Sequence, residues 1–196
     1  MGAYLYDNAL VEKLKFWTKD TKTKITGPDE TRRMFELLAD EKSDSPIKLP
    51  MITLQRGRTL TMDTLGKRPM TFDGVKLEAV KERTTKLDAI PITINYTLSV
   101  FTRYYKEADE LVRNLIFNII NYPKIEVEIP YENTGRIHIS NLRMGSDIVD
   151  NSAISERLSA GQFTIQSFSL NIDDAYLWDV RTKDNYFIDF DVEAKG

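Results

Sequence analysis

The residues from Pro91 to Pro123 constrain the fold more than any other part of this sequence, because the hydrophobic period changes once within them. Ile92, Ile94, Tyr96, Leu98 and Val100 alternate with Thr93, Asn95, Thr97 and Ser99. That is the period of a strand with one buried face and one hydroxyl-rich face. From Tyr105 onward the apolar positions are Ala108, Leu111, Val112, Leu115, Ile116 and Ile119, the spacing of an amphipathic helix. Glu107, Asp109 and Glu110 crowd its first turn, where the helix dipole favours negative charge, and Pro123 stops it. A strand and a helix joined by a short turn, each with one apolar side, must fold back so that those sides meet. This pair is the expected centre of the domain.

The remaining chain supplies elements of both kinds. Tyr4, Tyr6, Leu10, Val11, Leu14 and Trp17 mark a short amphipathic helix with Asp7 or Asn8 as its N-cap, and a Lys/Thr run from Thr18 to Thr26 breaks it. Gly27-Pro28-Asp29-Glu30 opens a second helix, whose apolar side is Met34, Phe35, Leu37 and Leu38. Ile47 to Gln55 is extended, and Pro50 within it suits a sheet edge or a strand start. Ile125, Val127 and Ile129 alternate, as do Ile137 and Ile139, with Asn133-Thr134-Gly135 turning between them. Met144 to Ala160 reads as a polar loop with one helical turn at Ile154 to Leu158. Phe163 and Ile165 alternate in one parity and Phe168, Leu170 and Ile172 in the other, which predicts a β-bulge near Gln166-Ser167. An acidic turn at Asp173-Asp174 and an aromatic strand of Tyr186, Ile188, Phe190 and Val192 follow.

The expected fold is therefore α+β: a mostly antiparallel β-sheet packed on one face by helices, one domain over residues 1–196. Two segments are expected to project from it. Residues 56–88 form a basic β-arm or long loop, with a hairpin tip at Asp73-Gly74 between Met70-Thr71-Phe72 and Val75-Lys76-Leu77. Residues 173–196 form an acidic strand or arm.

A hydrophobic content of 41%, a charged content of 29% and a net charge of -3 are those of an ordinary soluble globular protein. They argue against a surface given over wholly to nucleic acid. The absence of Cys excludes disulfides and thiolate metal sites. Met1 to Asp20 mixes Lys with Glu and Asp and has no continuous apolar run, so neither a signal peptide nor a membrane span is expected. The sequence has no phosphate-loop, dinucleotide or nucleophile-elbow motif, and no catalytic residue, metal ligand or cofactor is assigned. His138 is the only histidine and sits between Ile137 and Ile139, on the outward face of its strand; a solvated or interface position is expected rather than a general base. Asp173-Asp174, with Asp179 and Asp184 nearby, has the oxygen donors for a divalent cation or a carboxylate-based hydrolase. The spacing lacks the pattern of a calcium loop and reads as an acidic turn.

Two sets of residues point to binding surfaces. Arg56, Arg58, Lys67, Arg68, Lys76, Lys81, Arg83 and Lys86 are interspersed with Asp63, Asp73, Glu78 and Glu82. A flexible basic arm contacts phosphates without reading sequence, so a nucleic-acid-binding module using residues 56–86 is the alternative reading. The same charges suit a solvated hairpin, or pairing with the acidic C-terminal segment of a neighbouring copy. Tyr104, Tyr105, Tyr122, Tyr131, Tyr176, Trp178, Tyr186 and Phe187 fall at the ends of elements. Such ends lie at the surface, and Tyr and Trp are enriched in interfaces. Tyr104, Tyr105, Tyr131, Tyr176, Trp178 and Phe187 are the candidate contacts.

Leu98-Ser99-Val100-Phe101-Thr102-Arg103-Tyr104, with Pro91-Ile92 and Tyr96 before it and the acidic amphipathic helix after it, resembles the tail terminator proteins of contractile-tailed bacteriophages. That family includes the tail sheath stabiliser and completion proteins of large myophages. Tyr4-Leu5-Tyr6-Asp7-Asn8 and Ile47-Lys48-Leu49-Pro50-Met51-Ile52-Thr53 are similar to the family's start and first strand, in the right order. The likeness is fullest over 91–120 and thin over the rest of 1–172. It implies a structural virion protein, assembled in the host cytoplasm, that closes a six-membered ring at the tail–neck junction. The ring would cap the tail tube, hold the last sheath ring and present a surface to a neck, head-completion or connector protein. The implied partners are further copies of the chain, the tail tube protein, the tail sheath protein and that neck protein. DNA would pass through the lumen without sequence-specific binding; no membrane, cofactor or catalysis is implied. The basic residues Arg56, Arg58, Lys67, Arg68, Lys76 and Arg83 would then face the lumen or a partner.

Overall fold

A computed structural model describes residues 2–19, 21–39, 48–62, 70–76, 84–129, 137–153 and 163–183. The alternating stretch belongs to a long strand, Thr84–Thr102, here β4. Ile92, Ile94, Tyr96, Leu98 and Val100 are all buried. The helix that follows, Tyr105–Asn121, here α3, folds back across them and buries Ala108, Leu111, Val112, Leu115 and Ile119. Leu111, Val112, Leu115 and Ile119 share one hydrophobic cluster with those strand residues, so the two periods in the sequence meet as their apolar sides require.

The other elements are α1 (Tyr4–Trp17), β1 (Lys24–Thr26), α2 (Pro28–Ala39), β2 (Met51–Met62), β3 (Met70–Lys76), β5 (Lys124–Glu128), β6 (Ile137–Asp150) and β7 (Thr164–Lys183). Six strands follow the order β1-β2-β4-β7-β6-β5, and β3 pairs with β4 beside that path. β1 runs parallel to β2, and the other pairs are antiparallel. The fold is α+β with a mostly antiparallel sheet. Tyr6, Leu10, Leu14 and Trp17 of α1 join α3 in the main cluster over the sheet. Pro50 immediately precedes β2, which is a strand start and not an edge, because β2 has β1 on one side and β4 on the other.

A second cluster explains the parity switch in β7. Met51, Phe101, Phe163 and Ile165 are buried together, with Met34 of α2 and Leu49 packed against them. Met51 and Phe101 are one residue out of phase with Ile52 and Val100, so they belong to the opposite side of the sheet. β7 therefore buries one face at its start and the other from Phe168 onward. Its pairing with β4 runs unbroken from Thr164 to Ile172, so no bulge occurs at Gln166-Ser167.

Bulges occur where the sequence suggested loops. Asp173-Asp174 is not a turn. It lies inside β7 where the register shifts between Ile92↔Ala175 and Ile94↔Ile172. Met144 to Asp150 is not a loop but the second half of β6, paired to β7 with a shift between Met144 and Ile148. Asp73-Gly74 is not a hairpin tip; it falls at a register shift within β3, between Phe72 and Val75. Ile137 and Ile139 are exposed, while Ser140 and Leu142 of the same strand are buried. The inward face of β6 is thus the one that carries His138, the reverse of the expectation. Asn133-Thr134-Gly135, Ile154 to Leu158 and the aromatic strand around Tyr186 lie outside the described residues.

Leu115 is fully buried in the seam between α3 and β4. A carboxylate there has no partner and cannot be hydrated, which costs more than a marginally stable domain can lose. Leu115→Asp is expected to abolish cooperative folding, seen as loss of the thermal transition in circular dichroism. A soluble variant with unchanged melting would refute the packing of α3 on β4.

Candidate functional site

Asp7 ties three elements together. It does not cap α1, whose N-cap position is Ala3, but lies within the first turn and is buried. Its Oδ1 accepts a hydrogen bond from the Tyr96 hydroxyl at 2.8 Å, and its Oδ2 accepts one from the Arg56 guanidinium at 2.8 Å. α1 is thereby joined to β4 and β2. Burial pushes the Asp7 carboxyl above its usual range, against the opposing pull of the Tyr96 hydrogen bond and the Arg56 charge. Burial, and then the neighbouring Asp7 charge, raise the Tyr96 phenol far more. Arg56 is therefore a structural cation, not part of a free basic arm. Arg58 is exposed and Lys76 is the last residue of β3. Lys67, Arg68 and Arg83 lie outside the described residues.

The lone histidine sits in an aromatic group on the inner side of β6. Its ring is edge-on to Tyr176, with centroids 4.9 Å apart, and 5.7 Å from Trp178. The His138 Nε2 lies 2.9 Å from the Asp174 carbonyl oxygen, which accepts; Nε2 therefore carries the proton. Ser140 donates to the same carbonyl at 3.2 Å. The Asp174 carboxylate accepts from the Asn141 backbone N–H at 2.8 Å and from its Nδ2 at 3.2 Å. Asp173 pairs with Arg143 at 3.2 Å. These contacts pin the bulge in β7 to β6, and they engage both carboxylates in cross-strand bonds. Among the described residues no group of three His, Asp or Glu side chains converges as metal ligands would. Trp178 is buried against Ala89 and Ile129, so its ring belongs to the core and not to the outer surface expected for it. Tyr176 is half-buried, and its backbone N–H donates to the Tyr6 hydroxyl at 2.7 Å.

Large apolar side chains are exposed on α1, β2, β4 and β6 as well as along α3. Tyr104 is 71% exposed and Tyr105 56%, both at the entry to α3, where the Tyr105 hydroxyl donates to Asp150 at 3.3 Å. Phe117, Ile120 and Tyr122 are exposed along the outer side and far end of α3. Phe16 of α1 is exposed too. Between α1, α3 and β5 runs an open groove of about 960 Å³, lined by Phe16, Trp17, Tyr122 and Ile125, with Lys13, Lys19, Asn114, Asn118 and Glu126. The Lys19 ammonium lies 5.3 Å from the centre of the Phe16 ring, and Lys13 is equally placed over Trp17. Lys13 also donates to the Lys124 carbonyl, and its burial lowers the ammonium below its usual range, opposed by Glu126. This groove is not among the surfaces expected from the sequence. Its signal was Phe16, off the buried stripe of α1 and close to Lys13 and Lys19. Of the remaining candidate contacts, Tyr131 and Phe187 lie outside the described residues.

The sheet, its helical cover and this rim of aromatic side chains define an α+β domain, and none of its described helices is long and apolar enough to cross a membrane. No protein-family model matches the chain, and no curated protein matches it.

Because the fold raises the Asp7 carboxyl above its unfolded value, the folded state holds that proton more tightly than the unfolded chain does. The resulting stability is fully present below the ordinary carboxylate range and is lost as pH rises through the folded value. Urea midpoints across this range are expected to show the native chain gaining on Asp7→Asn as pH falls. Equal pH slopes would show that burial does not perturb the group. Asp7→Ala is expected to cost about 1–3 kcal/mol at neutral pH, since it leaves the buried Tyr96 hydroxyl without its acceptor. Arg58→Ala, by contrast, should stay within about 0.5 kcal/mol of the native chain in the same titration. A larger loss would place Arg58 in a packed interior.

Proposed function

We propose that the chain is a structural virion protein, the tail terminator of a contractile-tailed bacteriophage. Copies of it form a ring, six-membered by the family resemblance, that caps the tail tube, holds the last sheath ring and joins the tail to the neck. DNA passes through the hole without being read. The observation that carries this reading is the uncovered apolar set along α3: Tyr104, Tyr105, Phe117, Ile120 and Tyr122. Large aromatic and aliphatic side chains exposed along one helix suit a protein-binding surface. It belongs to the helix that follows Leu98-Ser99-Val100-Phe101-Thr102-Arg103-Tyr104, the run that carries the resemblance. A passive role suits the subunit, because the Tyr96 hydroxyl is spent on Asp7 of α1 and the Ser140 hydroxyl on the Asp174 carbonyl of β7.

The purified protein, mixed with isolated tail tubes and viewed in negative stain, is expected to cap tubes at one end with a ring. A protein that stays monomeric at every concentration and never associates with tails would overturn the reading.

A further inference from the structure

We propose that the groove between α1, α3 and β5 of one copy receives residues 184–196 of a second copy. The inference deepens the ring reading and rests on it for the premise that copies of the chain meet. In that segment Tyr186, Ile188, Phe190 and Val192 alternate with Phe187, Asp189, Asp191 and Glu193. An extended chain of this sequence presents one apolar side and one mainly acidic side. The groove offers the complement of both. Phe16, Tyr122 and Ile125 supply apolar walls, and Lys13 and Lys19 supply positive charge beside them. Asn114 and Asn118 also line it, with their amide nitrogens donating to the Trp17 carbonyl and to Asn114. Glu126 is the acidic side chain in the lining, and its charge is already directed at Lys13. A volume of about 960 Å³ accepts several large side chains.

The position at which β7 ends favours a second copy over the chain's own groove. Ile125 of the groove pairs with Ser140, and Ser140 bonds to Asp174 of β7. From Asp174 the strand continues to Lys183, a run of about 30 Å at the usual rise of a strand. Tyr186 reaches only about 10 Å beyond Lys183, so within one chain the segment must double back before its alternating run could begin to fill the groove. A neighbour's groove takes the whole run. Groove and segment are different surfaces, so each copy gives one and receives one, and the contact repeats head to tail until rotation closes it into a ring.

The chain has no cysteine, which allows a clean cross-linking test on the full-length protein. One preparation carries Asn118→Cys in the groove and the other Asp191→Cys in the segment; they are mixed under mild oxidant. Mixed disulfide dimers are expected to form at least about tenfold faster than between Asn118→Cys and a Gly2→Cys control. Adding Lys13→Glu and Lys19→Glu to the groove partner should slow them by about tenfold, and Asp189→Lys with Glu193→Lys in the segment partner should restore the rate. That restoration shows that the reversed groove variant is still folded. Mixed dimers no faster than the control overturn the proposal, as does a disulfide that forms only within single chains when one chain carries both Asn118→Cys and Asp191→Cys. Rapid mixed dimers with tails left uncapped keep the contact and remove the terminator role. Capped tails with mixed dimers at the control rate keep that role and remove the contact.

Discussion

β4 is the constraint from which the rest of this structure follows. It is paired along its length with β7 on one side and with β3 and then β2 on the other. A strand bonded on both sides has its main-chain groups satisfied, so its side chains alone decide what lies above and below it. On the even side, Ile92 to Val100 requires a cover, and α3 supplies it at once because it follows directly in sequence. On the odd side, Phe101 requires one as well, and it is met by Met51, Phe163 and Ile165 with Met34. The sheet is thus fully buried near Phe101, where it has a core on each face.

How much of this could be read in the sequence follows from how local each cause is. The strand–helix pair was legible because both periods lie within a single run of chain. α1 and α2 were legible for the same reason. The second half of β6 was not, since Met144 to Asp150 is strand only through its pairing with β7, and its own residues show no alternation. The switch in β7 is visible in the sequence but its cause is not: a bulge and a strand that buries opposite faces at its two ends leave the same pattern. His138 reads as outward in the sequence because the apolar pair beside it, Ile137 and Ile139, has the look of a buried face. Those two isoleucines are outward, and the inward face near them is made of Ser140 and the His138 ring.

The charged residues divide in the same way. Arg56 and Asp7 look in the sequence like an arm cation and a helix cap. In the fold they are partners, because the register of β2 on β4 sets Arg56 opposite Tyr96, and α1 crosses above that pair. Nothing within either residue's neighbourhood announces a contact between positions so far apart in sequence. Asp173 and Asp174 are likewise ordinary acids locally and become bulge anchors only when β6 lies alongside.

α1 links this interior order to the outer surface. Its first turn is fixed from within by the Asp7 bonds to Tyr96 and Arg56, and its middle by Leu10 and Leu14 in the core. Its last turn therefore presents Phe16, with Lys13 and Lys19 beside it, in a set position against α3. A surface held this way loses little conformational freedom when something settles on it, and so more of the contact energy remains for binding. Loosening Asp7 consequently affects more than stability: it frees the helix that forms one wall of the groove. The buried charge and the exposed aromatic end belong to a single rigid element, and each depends on β4 beneath it.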